Sequence, residues 1–175
     1  MTKSILFSLL IFLLLQVSLK AQTLPSVNGD FDKNVLVINN VTFDKNSTIE
    51  DYEKVLGKAE RIEKIAGKDK IFAYDKLGIA LNLKANTNIV QEIYITYIFD
   101  GDKKVAKETF QGTLSINGKA INTQTTSEQL GKQANTELIT AMKGLYMSKG
   151  KTLNLVVYYP ESTIGQFGFS FSEVK

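Results

Sequence analysis

Apolar and polar residues alternate along several stretches of the chain. The clearest run is 79–83, and the longest is 90–99, where Ile93 and Ile95 point to one side. Alternation of period two is typical of a strand with one buried face. Further strands are expected at 35–38, 61–65 and 71–74. Short turn signals separate most neighbouring strands, so we expect them to pair antiparallel.

A capping box marks the start of one helix. The Ser47 hydroxyl can accept a backbone amide hydrogen bond, and Glu50 can reach back to the cap amide. Apolar residues follow at helical spacing as far as Leu56, and Gly57 is placed for a left-handed C-cap. This predicts a short amphipathic helix over about 47–56.

The second half contains a similar capping box at 125–128. Further on, Leu138, Met142 and Leu145 are spaced by four and three residues, which predicts a helical face within 135–147. Gly144 disfavours a helix there.

Four short segments of the first half recur in the second half in the same order. The pairs are 35–40 with 113–118, 56–58 with 130–132, 81–83 with 153–155 and 93–97 with 167–171. Ordered self-similarity predicts a duplicated unit. We place the two units at 34–110 and 111–175, sharing one core. The alternative is that β-rich sequences resemble one another by composition. Duplication should superpose Leu56 on Leu130, Leu81 on Leu153 and Ile93 on Phe167.

Few helices and many antiparallel strands define the expected fold class. Alternating strands need one face covered, and the few short helices can cover only one. We therefore expect an α+β fold of two layers, an antiparallel sheet with short helices on one face.

The first 21 residues have the pattern of an export signal. Lys3 precedes an apolar run of 11 residues, which ends shortly before Ala21. A helix that spans a bilayer needs about 20 residues, so a cleavable signal peptide is favoured over an anchor. Cleavage is expected after Ala21, with Ser18 as the alternative. Residues 22–33 are then expected to form a flexible leader.

Composition indicates a bacterial periplasmic or secreted protein. The chain has no Cys, which excludes disulfides and a lipobox. Removal of 1–21 lowers the net charge from +3 to +1, because Lys3 and Lys20 are lost. A nearly neutral protein gives no electrostatic reason to expect nucleic acid as a partner. We also expect no stable membrane insertion after cleavage.

Few catalytic or metal sites are compatible with this composition. The absence of His and Cys excludes Ser-His-Asp and Cys-His sites in their usual form, and His- or Cys-bound zinc. Asp30 and Asp32 open like a calcium loop, but Val35 and Val41 replace the required Gly and Glu. We therefore expect no metal and no cofactor.

Several motifs carry a resemblance. They are Leu56-Gly57-Lys58, the stretch 74–79, a strand beginning near Val90, and Gly112 to Gly118. In this order they resemble an uncharacterised secreted bacterial domain family. They also resemble the helix-plus-antiparallel-sheet fold of the small outer-membrane assembly lipoproteins and the β-lactamase inhibitory protein. The inhibitory protein contains a duplicated unit, so the resemblance implies a duplicated binding module. The lipobox cysteine and the inhibitor's disulfides are missing here.

One face of the predicted sheet is the candidate binding surface. With Leu81, Ile93 and Phe169 turned toward the helices, the other face is small, polar and rich in tyrosine. The candidate binding residues are Tyr94, Tyr158, Asn82, Asn154 and Thr96. Interfaces favour Tyr. We expect Tyr94 and Tyr158 to be partly exposed and close together.

Two functions fit these observations. The first is a non-enzymatic binding or inhibitory module of the bacterial envelope, which recognises an envelope or extracellular protein. The alternative is a carboxylate-only enzyme, such as a glycan hydrolase, using acids such as Glu50, Asp51 and Glu53. The first is favoured because no motif places a nucleophile and a base together.

Overall fold

A computed structural model describes residues 24–65, 70–148 and 152–172 of the protein. The predicted export signal, residues 1–21, lies outside these ranges. None of the helices within them is long and apolar enough to cross a membrane.

The described residues form thirteen strands and two short α-helices. The strands of the first half are β1 (Ser26–Asp30), β2 (Val35–Ile38), β3 (Val41–Phe43), β4 (Arg61–Lys64), β5 (Lys70–Tyr74), β6 (Ile79–Leu83) and β7 (Val90–Thr96). Those of the second half are β8 (Thr113–Ile116), β9 (Lys119–Ile121), β10 (Leu138–Met142), β11 (Leu145–Ser148), β12 (Leu153–Tyr158) and β13 (Gln166–Phe171). The helices are α1 (Ile49–Leu56) and α2 (Ser127–Ala134).

The strands build two sheets. The smaller has the order β3-β2-β1-β8-β9, and β1 runs parallel to β8. The larger has the order β10-β11-β12-β13-β7-β6-β5-β4 and is antiparallel at every pairing. The two sheets face each other, since Phe31, directly after β1, packs on Phe169 with ring centroids 6.3 Å apart. A Cβ at Gly29 would overlap the Phe169 ring, so glycine permits this close approach.

The expected α+β fold with helices covering one face is therefore wrong. The protein is mostly β, and the small sheet covers the inner face of the large one. The helices contribute apolar side chains to the same core. Tyr52 of α1, for example, stacks on Phe43 with ring centroids 4.0 Å apart. The expectation failed because it took the small sheet's short strands for parts of a single sheet.

The predicted flexible leader, 22–33, is also wrong in its central part. Ser26–Asp30 forms β1 at the centre of the small sheet, paired with β2 on one side and β8 on the other. Only Val27 in this strand is a large apolar residue. The segment is ordered by backbone pairing with two strands distant in sequence, and its composition carries no sign of this.

Both helices begin one residue later than their capping boxes predicted. Thr48 caps α1 and Thr126 caps α2. The Thr126 amide donates to Gln129 Oε1 at 2.9 Å. The predicted cap residues instead close the preceding turns. Ser47 Oγ accepts from the Asp44 amide at 2.8 Å, and Thr125 Oγ1 accepts from the Asn122 amide at 3.1 Å.

The helix predicted within 135–147 is wrong. Asn135 ends α2 in the left-handed conformation, and β10 and β11 follow as a hairpin. Gly144, with φ of 79°, supplies the turn between them. The spacing of Leu138, Met142 and Leu145 also fits two short strands separated by a turn.

Elements occur in the same order in both halves of the chain. Two strands, a helix and four strands span 35–96 and again 113–171. At the centre of the large sheet, Ile93 pairs with Phe169 and Ile95 pairs with Phe167. These pairings allow Ile93 to match Phe167, and this superposition stays a prediction.

Two of the three predicted superpositions do not hold. Leu56 ends α1, whereas Leu130 lies in the middle of α2. Leu81 pairs with Ile93, whereas Leu153 pairs with Phe171. The predicted match of Ile93 to Phe167 would place Leu81 on Val157, which pairs with Phe167, so the predicted pairs Leu81–Leu153 and Ile93–Phe167 exclude each other. Common ancestry of the halves stays a prediction.

Candidate functional site

The large sheet has an outer face that points away from the small sheet, here called the back face. Residues paired across antiparallel strands lie on the same face, so registers identify its members. One row crosses the whole sheet. It runs Arg61, Ala73, Ala80, Tyr94, Gly168, Val156, Met147 and Ile139. The Tyr94 ring leans over Gly168, where a Cβ would stand 3.1 Å from it.

Residues 97–112, here called the connector, link β7 to β8 and form neither helix nor strand. Arg61 holds the connector in place: its Nη1 donates to Lys103 O at 2.7 Å, and its Nη2 donates to Val105 O at 3.0 Å. Val105 and its neighbour Ala106 are buried. The connector thus covers the first half of the back face, here called the covered half.

Three apolar residues of the covered half are buried. Ile71, Ala73 and Ala80 belong to the back face by register and are all buried. None of them belongs to the main core cluster between the sheets. We refer to these three residues, with Val105 and Ala106 of the connector, as the second apolar cluster, since all five are buried and Val105 lines the same cavity as Ile71.

An ion pair anchors this cluster. Arg61 donates to both carboxylate oxygens of Asp75, at 3.1 and 3.0 Å. Asp75 Oδ1 also accepts from the Lys107 amide at 3.0 Å, so the pair fixes the connector from two sides. The hydrogen bonds from Arg61 hold the pKa of the Asp75 carboxyl below its usual value.

A polar cluster lies beside the covered half. Glu92 Oε2 accepts from Asn82 Nδ2 at 2.8 Å and from the Tyr94 hydroxyl at 3.0 Å. Burial, and then the neighbouring Glu92 carboxylate, raises the pKa of Tyr94 above its usual range. These side chains line a cavity of about 310 Å³ with Asp102 and Lys104 of the connector.

The second half of the back face has no such cover among the described residues. Six apolar side chains share this face and are exposed to different degrees, and we call them the open patch. They are Ile139, Met142, Leu145, Met147, Val156 and Tyr158. Met142 is 65% exposed and Met147 is 37% exposed. Apolar residues clustered on an outer sheet face are typical of an interaction surface.

A pocket of about 640 Å³ adjoins the open patch at Tyr158. Tyr146, Tyr159 and Pro160 line it, with Lys143 and Glu161 among its charged residues. Tyr146 and Tyr159 pack edge to face with centroids 5.6 Å apart. The Tyr159 hydroxyl donates to Thr125 O at 2.7 Å, and burial raises the pKa of Tyr159 to about 12.

Three of the five predicted binding residues are partly exposed on the back face: Asn82, Tyr94 and Tyr158. Tyr94 and Tyr158 lie on the two strands that flank β13 and are offset by two residues along it, since Tyr158 pairs with Gln166 and Tyr94 with Gly168. Tyr94 borders the cavity beneath the connector, and Tyr158 belongs to the open patch.

The other two candidate binding residues, Thr96 and Asn154, are not accessible on the back face. Both are buried. The Thr96 carbonyl accepts from the Phe110 amide at 2.7 Å, so the connector lies against it. Asn154 Nδ2 donates to Ser172 Oγ at 2.8 Å. Burial therefore removes both side chains from the candidate binding surface.

Sequence reasoning missed most of the open patch, because a helix was predicted over 135–147. Two signals favour strands there. Ile139 and Thr140 are β-branched neighbours, and Lys143-Gly144 interrupts the segment as a turn would.

The carboxylates of the enzyme hypothesis have other contacts. Asp51 accepts from the Thr48 amide at 3.1 Å in the cap of α1, and Glu50 accepts from Asn88 Nδ2 at 3.0 Å. Asp30, from the calcium-like stretch, pairs with Lys33 Nζ at 3.0 Å. Within the described ranges, no group of three or more acidic residues is placed to hold a metal ion.

Comparison with known proteins identifies a family whose function is unknown. A family model described as a domain of unknown function, DUF7738, matches residues 30–131. No curated protein matches the chain. A crystal structure of an extracellular protein containing an SCP domain, from Bacillus anthracis str. Ames, is similar with a TM-score of 0.47 and 13% identity. The similarity covers 73% of this chain and 44% of that one, so the chain spans less than half of its length.

Proposed function

The chain belongs to the DUF7738 family, whose function is unknown, and we propose that it is an exported, non-enzymatic binding or inhibitory module of the bacterial envelope. In this proposal it recognises an envelope or extracellular protein through the open patch. The observation that carries the proposal is the uncovered apolar surface on the second half of the back face. On the covered half, the apolar residues Ile71, Ala73 and Ala80 are buried.

The composition of the open patch supports a protein partner. It contains two Met and one Tyr, residue types enriched in protein interfaces, and no charged residue. Met147 and Val156 lie side by side in the row that crosses the sheet, and Tyr158 stands next to them. The charged residues Lys143 and Glu161 lie in the adjoining pocket. An apolar centre with charges at its margin is the usual anatomy of an interface.

Export rests on the N-terminal sequence alone. Residues 1–21 combine Lys3, a short apolar run and a terminal Ala21. The absence of Cys favours a bacterial over a eukaryotic exported protein, because disulfides are common in eukaryotic secreted domains.

Duplication is part of the proposal. Both halves have the same order of elements, and the turn before each helix is closed by the same hydrogen bond, to Ser47 in one half and to Thr125 in the other. This supports the resemblance to the β-lactamase inhibitory protein in its duplicated unit. Packing of helices over one sheet face, which that resemblance also implied, is not proposed.

Site-specific photo-crosslinking tests the function. A photoreactive phenylalanine analogue is placed at Met147 and, as a control, at Val41, which is 44% exposed on the small sheet. In the producing bacterium, we expect the Met147 probe to give a discrete crosslinked protein. The same product should disappear when Leu145→Lys is added.

Two outcomes would contradict the proposal. One is an absence of crosslinked protein at Met147 although the protein is exported and folded. The other is the same product from Met147 and Val41, which would indicate random collisions rather than a binding surface.

A further inference from the structure

The chain contains two Asn-Gly pairs, Asn28-Gly29 and Asn117-Gly118. Asparagine before glycine is chemically labile, because glycine has no side chain to shield its amide nitrogen from the asparagine carboxamide. The first pair lies inside β1, and the second forms the two-residue turn between β8 and β9. Because β1 pairs with β8, the fold brings the two Asn-Gly pairs into contact.

Both reacting groups of the second pair are held by hydrogen bonds. Asn117 Oδ1 accepts from the Phe31 amide at 2.7 Å, and Asn117 Nδ2 donates to Gln133 O at 3.0 Å. The Gly118 amide donates to Asn28 Oδ1 at 3.0 Å. While these bonds are in place, the carboxamide carbon of Asn117 is not free to rotate onto the Gly118 nitrogen. The folded turn therefore protects Asn117.

The turn is also docked on β1 by its backbone. Asn117 and Gly118 have φ of 48° and 74°, as a two-residue hairpin turn of this kind requires. The Asn117 amide donates to Gly29 O at 2.9 Å, which extends the pairing of β1 with β8 into the turn. Ser115 Oγ donates to Asn28 Oδ1 at 2.7 Å and so orients the oxygen that accepts from Gly118.

From these contacts we propose that Asn117 is a site of spontaneous deamidation whose rate is set by opening of the β8–β9 turn. When the turn leaves β1 and α2, the Gly118 nitrogen attacks the side-chain carbonyl carbon of Asn117. The bond from that carbon to the side-chain nitrogen breaks, and this nitrogen leaves as ammonia with the proton of the Gly118 amide. The product is a cyclic imide. Water then adds to one of its two carbonyls and opens the ring, which gives aspartate or isoaspartate.

The product does not fit the docked turn. An aspartate at position 117 still accepts from the Phe31 amide, but it has no N–H for Gln133 O and places a negative charge beside that carbonyl. Isoaspartate adds one atom to the backbone of the turn, which displaces the Gly118 amide from Asn28. Because the reaction is irreversible, each opening that leads to it permanently weakens the contact of the turn with β1 and α2.

Peptide mapping by mass spectrometry tests the proposal on the mature protein. Samples are kept at mildly alkaline pH in ¹⁸O water, with and without enough urea to unfold the protein. Each conversion takes its new oxygen from water, so the label distinguishes it from deamidation during later handling. In urea, we expect Asn28 and Asn117 to convert at similar rates, since both precede glycine. Without urea, we expect Asn117 to convert much more slowly than in urea.

Two substitutions of Asn28 test the role of docking. Asn28→Ala removes the acceptor of the Gly118 amide and should raise the conversion rate at Asn117 about fivefold, the factor that corresponds to loss of one hydrogen bond. Asn28→Asp keeps oxygen acceptors at this position and should change the rate less than about twofold. Circular dichroism and urea denaturation establish that both variants are folded.

A milder variant covers the case in which Asn28→Ala does not fold. Ser115→Ala removes only the hydroxyl that orients Asn28, and it should raise the conversion rate at Asn117 by a smaller factor.

Three results would overturn the proposal. The first is that wild type converts Asn117 as fast without urea as in urea. The second is that folded Asn28→Ala, or Ser115→Ala in its place, converts Asn117 at the wild-type rate. The third is that Asn28→Asp accelerates conversion as much as Asn28→Ala. None of these results bears on the open patch, so the proposed function is tested separately.

Discussion

The covered half and the open patch are built on equivalent positions of one sheet, yet their side chains differ in size. Ala73 and Ala80 are small and fully buried, whereas Met147 and Val156, at the matching positions counted from the middle of the row that crosses the sheet, are larger and partly exposed. Small residues let the connector approach the sheet closely. The size of the residues on a sheet face and the presence of a covering segment are therefore linked. Whether the outer face of a strand is buried cannot be predicted from the residues of that strand alone.

The two edges of the large sheet differ in the same direction. β4 presents Arg61, Glu63 and Lys64, and charge is a common protection of a sheet edge. β10 has no charged residue, but its register shifts between Thr140 and Met142. Such a bulge disrupts the regular hydrogen-bonding edge. The edge beside the open patch is thus protected by backbone geometry, which leaves its side chains free to be apolar.

Removal of the connector's anchor should have the largest effect. Arg61→Ala leaves Asp75 and the Lys103 and Val105 carbonyls without the guanidinium that binds them. Loss of a partly buried, hydrogen-bonded charge partner costs about 2–3 kcal/mol. We expect a loss of about 2 kcal/mol in the free energy of unfolding, measured by urea denaturation, and faster proteolysis within 97–112.

Two comparisons test the cause. Lys132→Ala removes an exposed ion pair with Glu128 and should cost less than about 0.5 kcal/mol. The pKa of Asp75 is lowered in the folded state, so its stabilisation is present above its unfolded value of 3.8 and is lost as pH falls through the folded value. The acid-side slope of stability below about pH 4 should therefore be shallower in Arg61→Ala. If Arg61→Ala and Lys132→Ala lowered the free energy of unfolding equally, Arg61 would not be an anchor of the connector.

Giving the covered half a side chain of the open patch should have the next largest effect. Ala73→Met introduces the residue found at the matching position 147 into a fully buried site under the connector. Overpacking of this kind costs about 1–3 kcal/mol. Urea denaturation measures the change in the free energy of unfolding. The control is Ala141→Met, the same substitution at an exposed residue of β10. A stable Ala73→Met protein with a fully protected connector would mean that side-chain size does not decide which half is covered.

Local patterns predicted the elements better than their assembly. Alternation correctly located β6 and the start of β7, although the strand predicted to reach residue 99 ends at Thr96. It also correctly predicted that Leu81 and Ile93 point inward and that Asn82 and Tyr94 point outward. The pairings that complete the fold join distant residues. Val27 of β1 pairs with Leu114, and Arg61 binds Val105 across 44 residues. Because neither contact leaves a periodic signal, neither the second sheet nor the cover over Thr96 was predictable.

The smallest effect is expected at the open patch itself. Met147→Lys places a charge on a side chain that is 37% exposed, and the long lysine stem can lie over the sheet while its ammonium reaches water. Surface substitutions outside special sites usually change stability by no more than about 0.5 kcal/mol. The free energy of unfolding, from urea denaturation at neutral pH, should therefore equal that of wild type within this margin. A loss above about 2 kcal/mol would mean that Met147 belongs to the packed core. The open patch would then be part of the fold rather than a surface, and the contrast between the two halves of the back face would disappear.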